Sequence, residues 1–137
     1  MQNSTVLKTI LIIAGLIGAG VGGAILLIPE AFHATTGIHL GGDVSLLNEM
    51  RASGGALLAG GVLVLSGAWI RNLTFTSIVV AALLYLSYGL SRVLSMIVDG
   101  MPDAGLVQVA GLEIVIGLVC VVALAKYRKK AGSTTVA

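Results

Sequence analysis

The sequence predicts an all-α polytopic membrane protein, an antiparallel bundle of four transmembrane helices. Three observations carry that expectation. Only 10% of the residues are charged and 57% are hydrophobic, whereas a water-soluble domain carries roughly 25% charged residues to cover its surface. The apolar residues fall into four long runs, each of a length suited to a bilayer. The break at Arg71-Asn72 is two polar residues, too short for anything but an antiparallel return. With 137 residues the chain forms one membrane domain, 1–137. Its net charge of +2 is mostly confined to the C-terminal tail, so the lipid bilayer and not nucleic acid is the expected partner. Cys120 stands between Val119 and Val121 with no second cysteine in the chain, which makes it a packing residue.

The first helix is expected over about 7–29. Met1 to Thr5 is a short polar leader, Lys8 follows, and no charge occurs from Thr9 to Ile28. At 1.5 Å per residue that stretch crosses the ~30 Å hydrocarbon layer. A cleaved signal peptide is the competing reading, with Gly20-Val21-Gly22 near a possible cleavage site. The run continues through Ile25-Leu26-Leu27-Ile28, beyond the usual h-region of about 7–15 residues, which favours an uncleaved helix. Gly18 and Gly22, beside Gly15, Ala19 and Gly23, form a small-residue face. Such faces let helix backbones approach closely, within this chain or between subunits.

Pro29-Glu30 ends that helix, and residues 31–48 form the only substantial loop. Ala31-Phe32-His33 is read there as a short interfacial helical turn. His33, His39 and Asp43 in a glycine-containing loop are weak grounds for a metal, and the histidines are read as interfacial or solvated. The second helix is expected over about 49–70. Ser45 or Asn48 serves as its N-cap and Glu49 lies in the first turn, where an acid suits the helix dipole. Ala52, Ala56 and Gly60 give it a second close-packing face. Trp69 falls at the far interface, where its amphipathic ring is favoured.

The third helix is expected over about 73–98. Tyr85, Tyr88, Arg92, Ser95 and Asp99 recur at steps of three and four, a polar stripe that cannot comfortably face lipid. Gly100-Met101-Pro102-Asp103 is turn chemistry. The fourth helix is expected over about 104–125, carrying Gln108 and Glu113. Lys126-Tyr127-Arg128-Lys129-Lys130 closes it, leaving a polar tail within 126–137.

Lys8, Arg71 and the Lys126–Lys130 cluster fall on one side of a four-span arrangement, while the loops 29–48 and 99–103 contain no lysine or arginine. The positive-inside rule then places both termini in the cytoplasm, in the inner (cytoplasmic) membrane. The sequons Asn3-Ser4-Thr5 and Asn72-Leu73-Thr74 would be cytoplasmic and carry no glycosylation argument.

In that topology Glu49, Arg51, Arg92, Asp99 and Glu113 fall in the outer half of the bundle. Arg92 lies about 9 Å and Glu113 roughly 13 Å below the outer helix ends, a difference in depth that an arginine side chain bridges. An Arg92–Glu113 ion pair is therefore expected. Tyr88 and Ser95 would hydrogen-bond to it, and Glu49 or Asp99 would join from above. Either charge alone in hydrocarbon costs several kcal/mol (about 2.5–3.5 on insertion scales). The cluster either fixes helix register or forms a small cavity for a proton, ion or headgroup.

Asn48-Glu49-x-Arg51 with Ser53-Gly54-Gly55, then Ser91-Arg92, Asp99-Gly100-Met101-Pro102 and Glu113 before a basic end, resembles the domain-of-unknown-function 4345 family. The resemblance covers roughly residues 7–126 and implies a small four-helix integral membrane protein. It supplies no activity, substrate or cofactor, and it implies Glu49, Arg51, Arg92, Asp99 and Glu113 as a matching set.

Function is expected to be non-catalytic: binding, or assembly as a homo-oligomer or with a membrane protein partner through the glycine-rich faces. A small proton-linked carrier using Glu113 is the alternative, weakened by the lack of paired mid-membrane helix breaks. An enzyme is disfavoured because the spans hold no nucleophile–base pair, and no cofactor motif occurs.

Overall fold

The structure, a computed structural model, describes residues 4–134. Met1–Asn3 of the leader, with the first sequon's asparagine, and Thr135–Ala137 of the tail lie outside the described residues. The chain forms α1 (Thr5–Leu27), a short α2 (Pro29–Ala34), α3 (Val44–Ser66), a 3₁₀ turn (Arg71–Leu73), α4 (Thr74–Asp99) and α5 (Ala104–Thr134), with no strand among the described residues. By length and composition α1, the segment Arg71–Asp99 and α5 are apolar enough to cross a membrane. Hydropathy does not mark α3 in this way. Its first half carries Ser45, Asn48, Glu49, Arg51 and Ser53, polar residues that lower its mean hydropathy.

The helix ends follow local chemistry. The Ser4 hydroxyl accepts the Leu7 N–H at 3.1 Å and starts α1, supplying one of the acceptors that a helix's first N–H groups lack. Pro29 disfavours helical geometry in the residue before it. Ile28 leaves the helical region, with φ −133° and ψ 56°, and Pro29 opens α2. The turn expected at Ala31-Phe32-His33 is thus a defined helix. Asp43, and not Ser45 or Asn48, caps α3: its Oδ1 accepts the Leu46 N–H at 3.0 Å. That moves the start five residues earlier than expected and puts Glu49 in the second turn. Gly41 and Gly42, at φ 66° and 72°, make the bend before it in a region that side chains disfavour.

The expected two-residue hinge is a longer turn, because α3 stops at Ser66. The Thr74 hydroxyl donates to the Gly67 carbonyl at 2.9 Å, and the Ser77 hydroxyl donates to the Leu63 carbonyl at 2.7 Å. These two bonds tie the start of α4 to the end of α3. Gly100 at φ 101° ends α4, and the Asp103 carboxylate accepts the Gly105 N–H at 2.8 Å where α5 begins. α5 does not stop near 125. Lysine, arginine and alanine are good helix formers, so the basic cluster ends the apolar run without ending the helix.

Two close seams hold the fold. Gly15, Gly18 and Gly22 of α1 face Leu65, Gly61 and Leu58 of α3. As one number rises the other falls, so the two helices run in opposite directions. A Cβ on Gly15 would come 2.6 Å from the Leu65 amide nitrogen, so only glycine allows this approach. On the other side Gly89 and Gly117 of α4 and α5 meet Ile114 and Leu86. Gly15, Gly18 and Gly22 of the α1 small-residue face are therefore covered by α3, while a Cβ on Gly23 would meet nothing within 4 Å. Gly54 and Gly61 of α3 serve that contact, while Ala52 and Ala56 stay exposed.

The core is a cluster of Leu11, Ala14, Val64, Ile78, Ala81, Tyr85 and Cys120. Large apolar side chains also cover the outside: Leu83 is 65% exposed, Leu94 62% and Val115 58%. An apolar exterior on this scale suits lipid and not water. At one end the Lys8 ammonium lies 5.7 Å from the centre of the exposed Trp69 ring, and Tyr127 of α5 stacks at a tilt on Phe75 of α4. The two chain ends and the α3–α4 turn therefore share one end of the molecule.

Candidate binding site

Between the α1–α3 pair and the α4–α5 pair lies a cavity of about 250 Å³. Its walls are mainly apolar, with Ile17, Val21 and Ile25 of α1, Leu57 of α3, Leu84 of α4, and Val109 and Leu112 of α5. Gly18 and Gly61 line it at the α1–α3 seam, and a Cβ on Gly18 would sit 3.3 Å from the Gly61 Cα. Tyr85 is buried beside them and donates its hydroxyl to the Ala14 carbonyl at 2.5 Å. This bond crosses from α4 to α1 and joins the two helix pairs.

The polar lining comes from Tyr88, Arg92 and Glu113, with His33 and Thr36 of the segment after α1. Arg92 Nε donates to Glu113 Oε2 at 2.9 Å. This is the expected pair, and the one ion pair among the described residues. It is not fully buried: the arginine side chain is 33% exposed and the glutamate 14%, because both border the cavity. The Arg92 terminal nitrogens hold no hydrogen bond to the described residues. They remain as donors, and the second carboxylate oxygen of Glu113 as an acceptor.

The rest of the predicted cluster is dispersed. The Ser95 hydroxyl donates to Asp99 Oδ2 at 2.9 Å. The two are one helical turn apart and satisfy each other on an exposed face without reaching Arg92. The Arg51 guanidinium donates to the Leu26 carbonyl, and more loosely to Leu27 at 3.4 Å. It serves the end of α1, where the last carbonyls lack helical partners and a cation suits the dipole. Glu49 is exposed and does not line the cavity.

One polar group reached this site unforeseen. His33 Nδ1 donates to the Pro29 carbonyl at 2.8 Å, since a carbonyl only accepts, and this leaves Nε2 as the acceptor nitrogen of the neutral ring. Phe32 packs edge-on against the ring, with centroids 5.5 Å apart. Pro29 was the available signal, because it breaks α1 at Ile28 and opens the separate short helix that carries His33.

Fold and site define an all-helical protein with three helices apolar enough to cross a membrane and an apolar cavity bordered by one ion pair. The chain belongs to the family described as a domain of unknown function (DUF4345), whose model matches residues 6–124. No curated protein and no solved structure matches it.

Proposed function

We propose that this is a four-span integral membrane protein that binds a small, mainly apolar ligand without transforming it. In this reading α1, α3, α4 and α5 all cross the bilayer as an antiparallel bundle. Both termini lie on the cytoplasmic side of the inner membrane, and the Arg92–Glu113 pair lies within the outer half. The shared basic end supports the orientation, since Lys8, Arg71 and Lys126–Lys130 gather there while residues 29–48 and 99–103 carry no lysine or arginine. α3 crosses despite its polar start because its first turns lie at the outer surface and Arg51 is spent on the carbonyls of α1.

The carrying observation is the cavity itself: apolar walls with unused donors on Arg92 and an unused acceptor on Glu113. Ligand pockets combine apolar walls with a few convergent polar groups in this way. The covering of Gly15, Gly18 and Gly22 by α3 favours binding over assembly through those glycines.

Native mass spectrometry of the protein extracted gently from its own membrane tests the proposal. A discrete added mass lost in Arg92→Gln and Glu113→Gln supports a cavity ligand. A bare protein, or an adduct indifferent to both changes, refutes it. The placement of Glu113 on the cavity wall also favours a second reading, a proton-linked carrier. Proteoliposome flux abolished by Glu113→Gln would support that reading, and unchanged flux would end it.

A further inference from the structure

A second cavity, a groove of about 370 Å³, lies between the start of α1 and the last third of α5. Val6 and Ile10 form one wall and Leu118 and Val122 the other, and Ser4, Lys126 and Lys130 stand toward its terminal end. From Leu118 to Lys130 the groove follows α5 for roughly 18 Å at 1.5 Å per residue. The apolar lining from Leu118 to Ala123 takes up about 8 Å of that length, and the lysines are confined to the terminal end.

That end carries charge of a single sign. The first acidic residue in the chain is Glu30 and the last is Glu113, so no acid lies on α1 or on α5 beyond Glu113. Lys126 and Lys130 have no carboxylate partner among the described residues, where Arg92–Glu113 is the one ion pair. They are spaced four apart and so share a face of α5. Arg128 and Lys129 do not line the groove, and Lys8 is placed over Trp69. The Ser4 oxygen accepts the Leu7 N–H, which leaves its hydroxyl proton to donate.

We propose that this groove holds one anionic phospholipid of the cytoplasmic leaflet. An acyl chain lies between α1 and α5 along Ile10 and Val122. The phosphate oxygens receive charge-assisted hydrogen bonds from Lys126 and Lys130 and one hydrogen bond from Ser4. A zwitterionic lipid offers the same chain and phosphate, but its own cation opposes the two lysines. The preference for net negative charge therefore comes from this pair. The site is separate from the cavity at Arg92 and Glu113, and its binding in micelles does not depend on which way the protein faces in a membrane.

The test uses the full chain in mild detergent with phosphatidylglycerol or phosphatidylcholine of matched acyl chains, read by native mass spectrometry. A single phosphatidylglycerol adduct several-fold more abundant than the phosphatidylcholine adduct is expected. The variant K126Q/K130Q should reduce it to the phosphatidylcholine level. R128Q/K129Q removes the same charge outside the groove and should keep the preference. Val122→Trp, which fills the groove, should lower both adducts, with circular dichroism confirming native helix content in each variant. No preference in the wild type overturns the proposal, as does a preference that survives K126Q/K130Q. Equal loss in the two charge variants also overturns it, because it would mean diffuse attraction to a basic surface.

Discussion

Gly61→Ala is the most direct probe of how the α1–α3 seam is built. A Cβ there would lie 2.7 Å from the Gly18 carbonyl carbon and 2.8 Å from the Ala19 Cα, with the Ala19 amide nitrogen also in collision. Carbon atoms pack at about 3.5–4.0 Å, so the shortfall is roughly 1 Å. Every atom it meets is backbone, and no side chain can swing away. The helices must part along the seam, and overpacking of this kind costs about 1–3 kcal/mol. Gly20→Ala is the control on the same seam's outward side, where an added Cβ meets nothing within 4 Å. In a helix interior that change is worth about 1 kcal/mol of stabilisation in host peptides. Gly61→Ala gains the same propensity, so the two variants should differ by the clash alone, about 1–3 kcal/mol. Unfolding in mixed detergent micelles, followed by far-ultraviolet circular dichroism and by the fluorescence of Trp69, the sole tryptophan, measures the gap. If the two differ by less than about 0.5 kcal/mol, within the usual scatter of surface substitutions, the close backbone contact is not what holds α1 to α3.

Other expectations follow from single contacts. Arg92→Ala and Glu113→Gln should each destabilise, and a double-mutant cycle should give a coupling of about 0.5–1.5 kcal/mol, held down by the 33% exposure of the arginine; zero coupling would dissolve the pair. Tyr85→Phe removes the hydroxyl bond to Ala14 and should cost about 0.5–1.5 kcal/mol in the same unfolding assay. Arg51→Gln should cost about 0.3–1 kcal/mol through the lost cation at the end of α1, whereas Glu49→Gln, at an exposed position, should leave the midpoint unchanged. An equal effect of these two would return Arg51 to a shared cluster with Glu49.

Composition and periodicity alone determined that this chain is helical and suited to lipid. Charges are too few for a water-exposed surface, and the apolar runs are long enough to count. The Arg92–Glu113 contact was also legible, because two opposite charges inside apolar helices joined by a short turn have few other partners that would compensate them. Tertiary structure alone decided which helix meets which face. The glycines of α1 were visible as a small-residue stripe, but a stripe is equally suited to α3 and to a second subunit. Only the match of Gly54 and Gly61 to it, at backbone contact, selects α3. Arg51 was likewise legible as a charge, while its partners, the carbonyls of Leu26 and Leu27, lie on the neighbouring helix. His33 joins the cavity from the short helix that Pro29 opens after the break at Ile28, and Lys126 and Lys130 border a groove because α5 continues beyond its apolar run. Periodicity reports which residues share a face of one helix. What that face touches depends on contacts between residues far apart in sequence, which close packing of whole helices settles together.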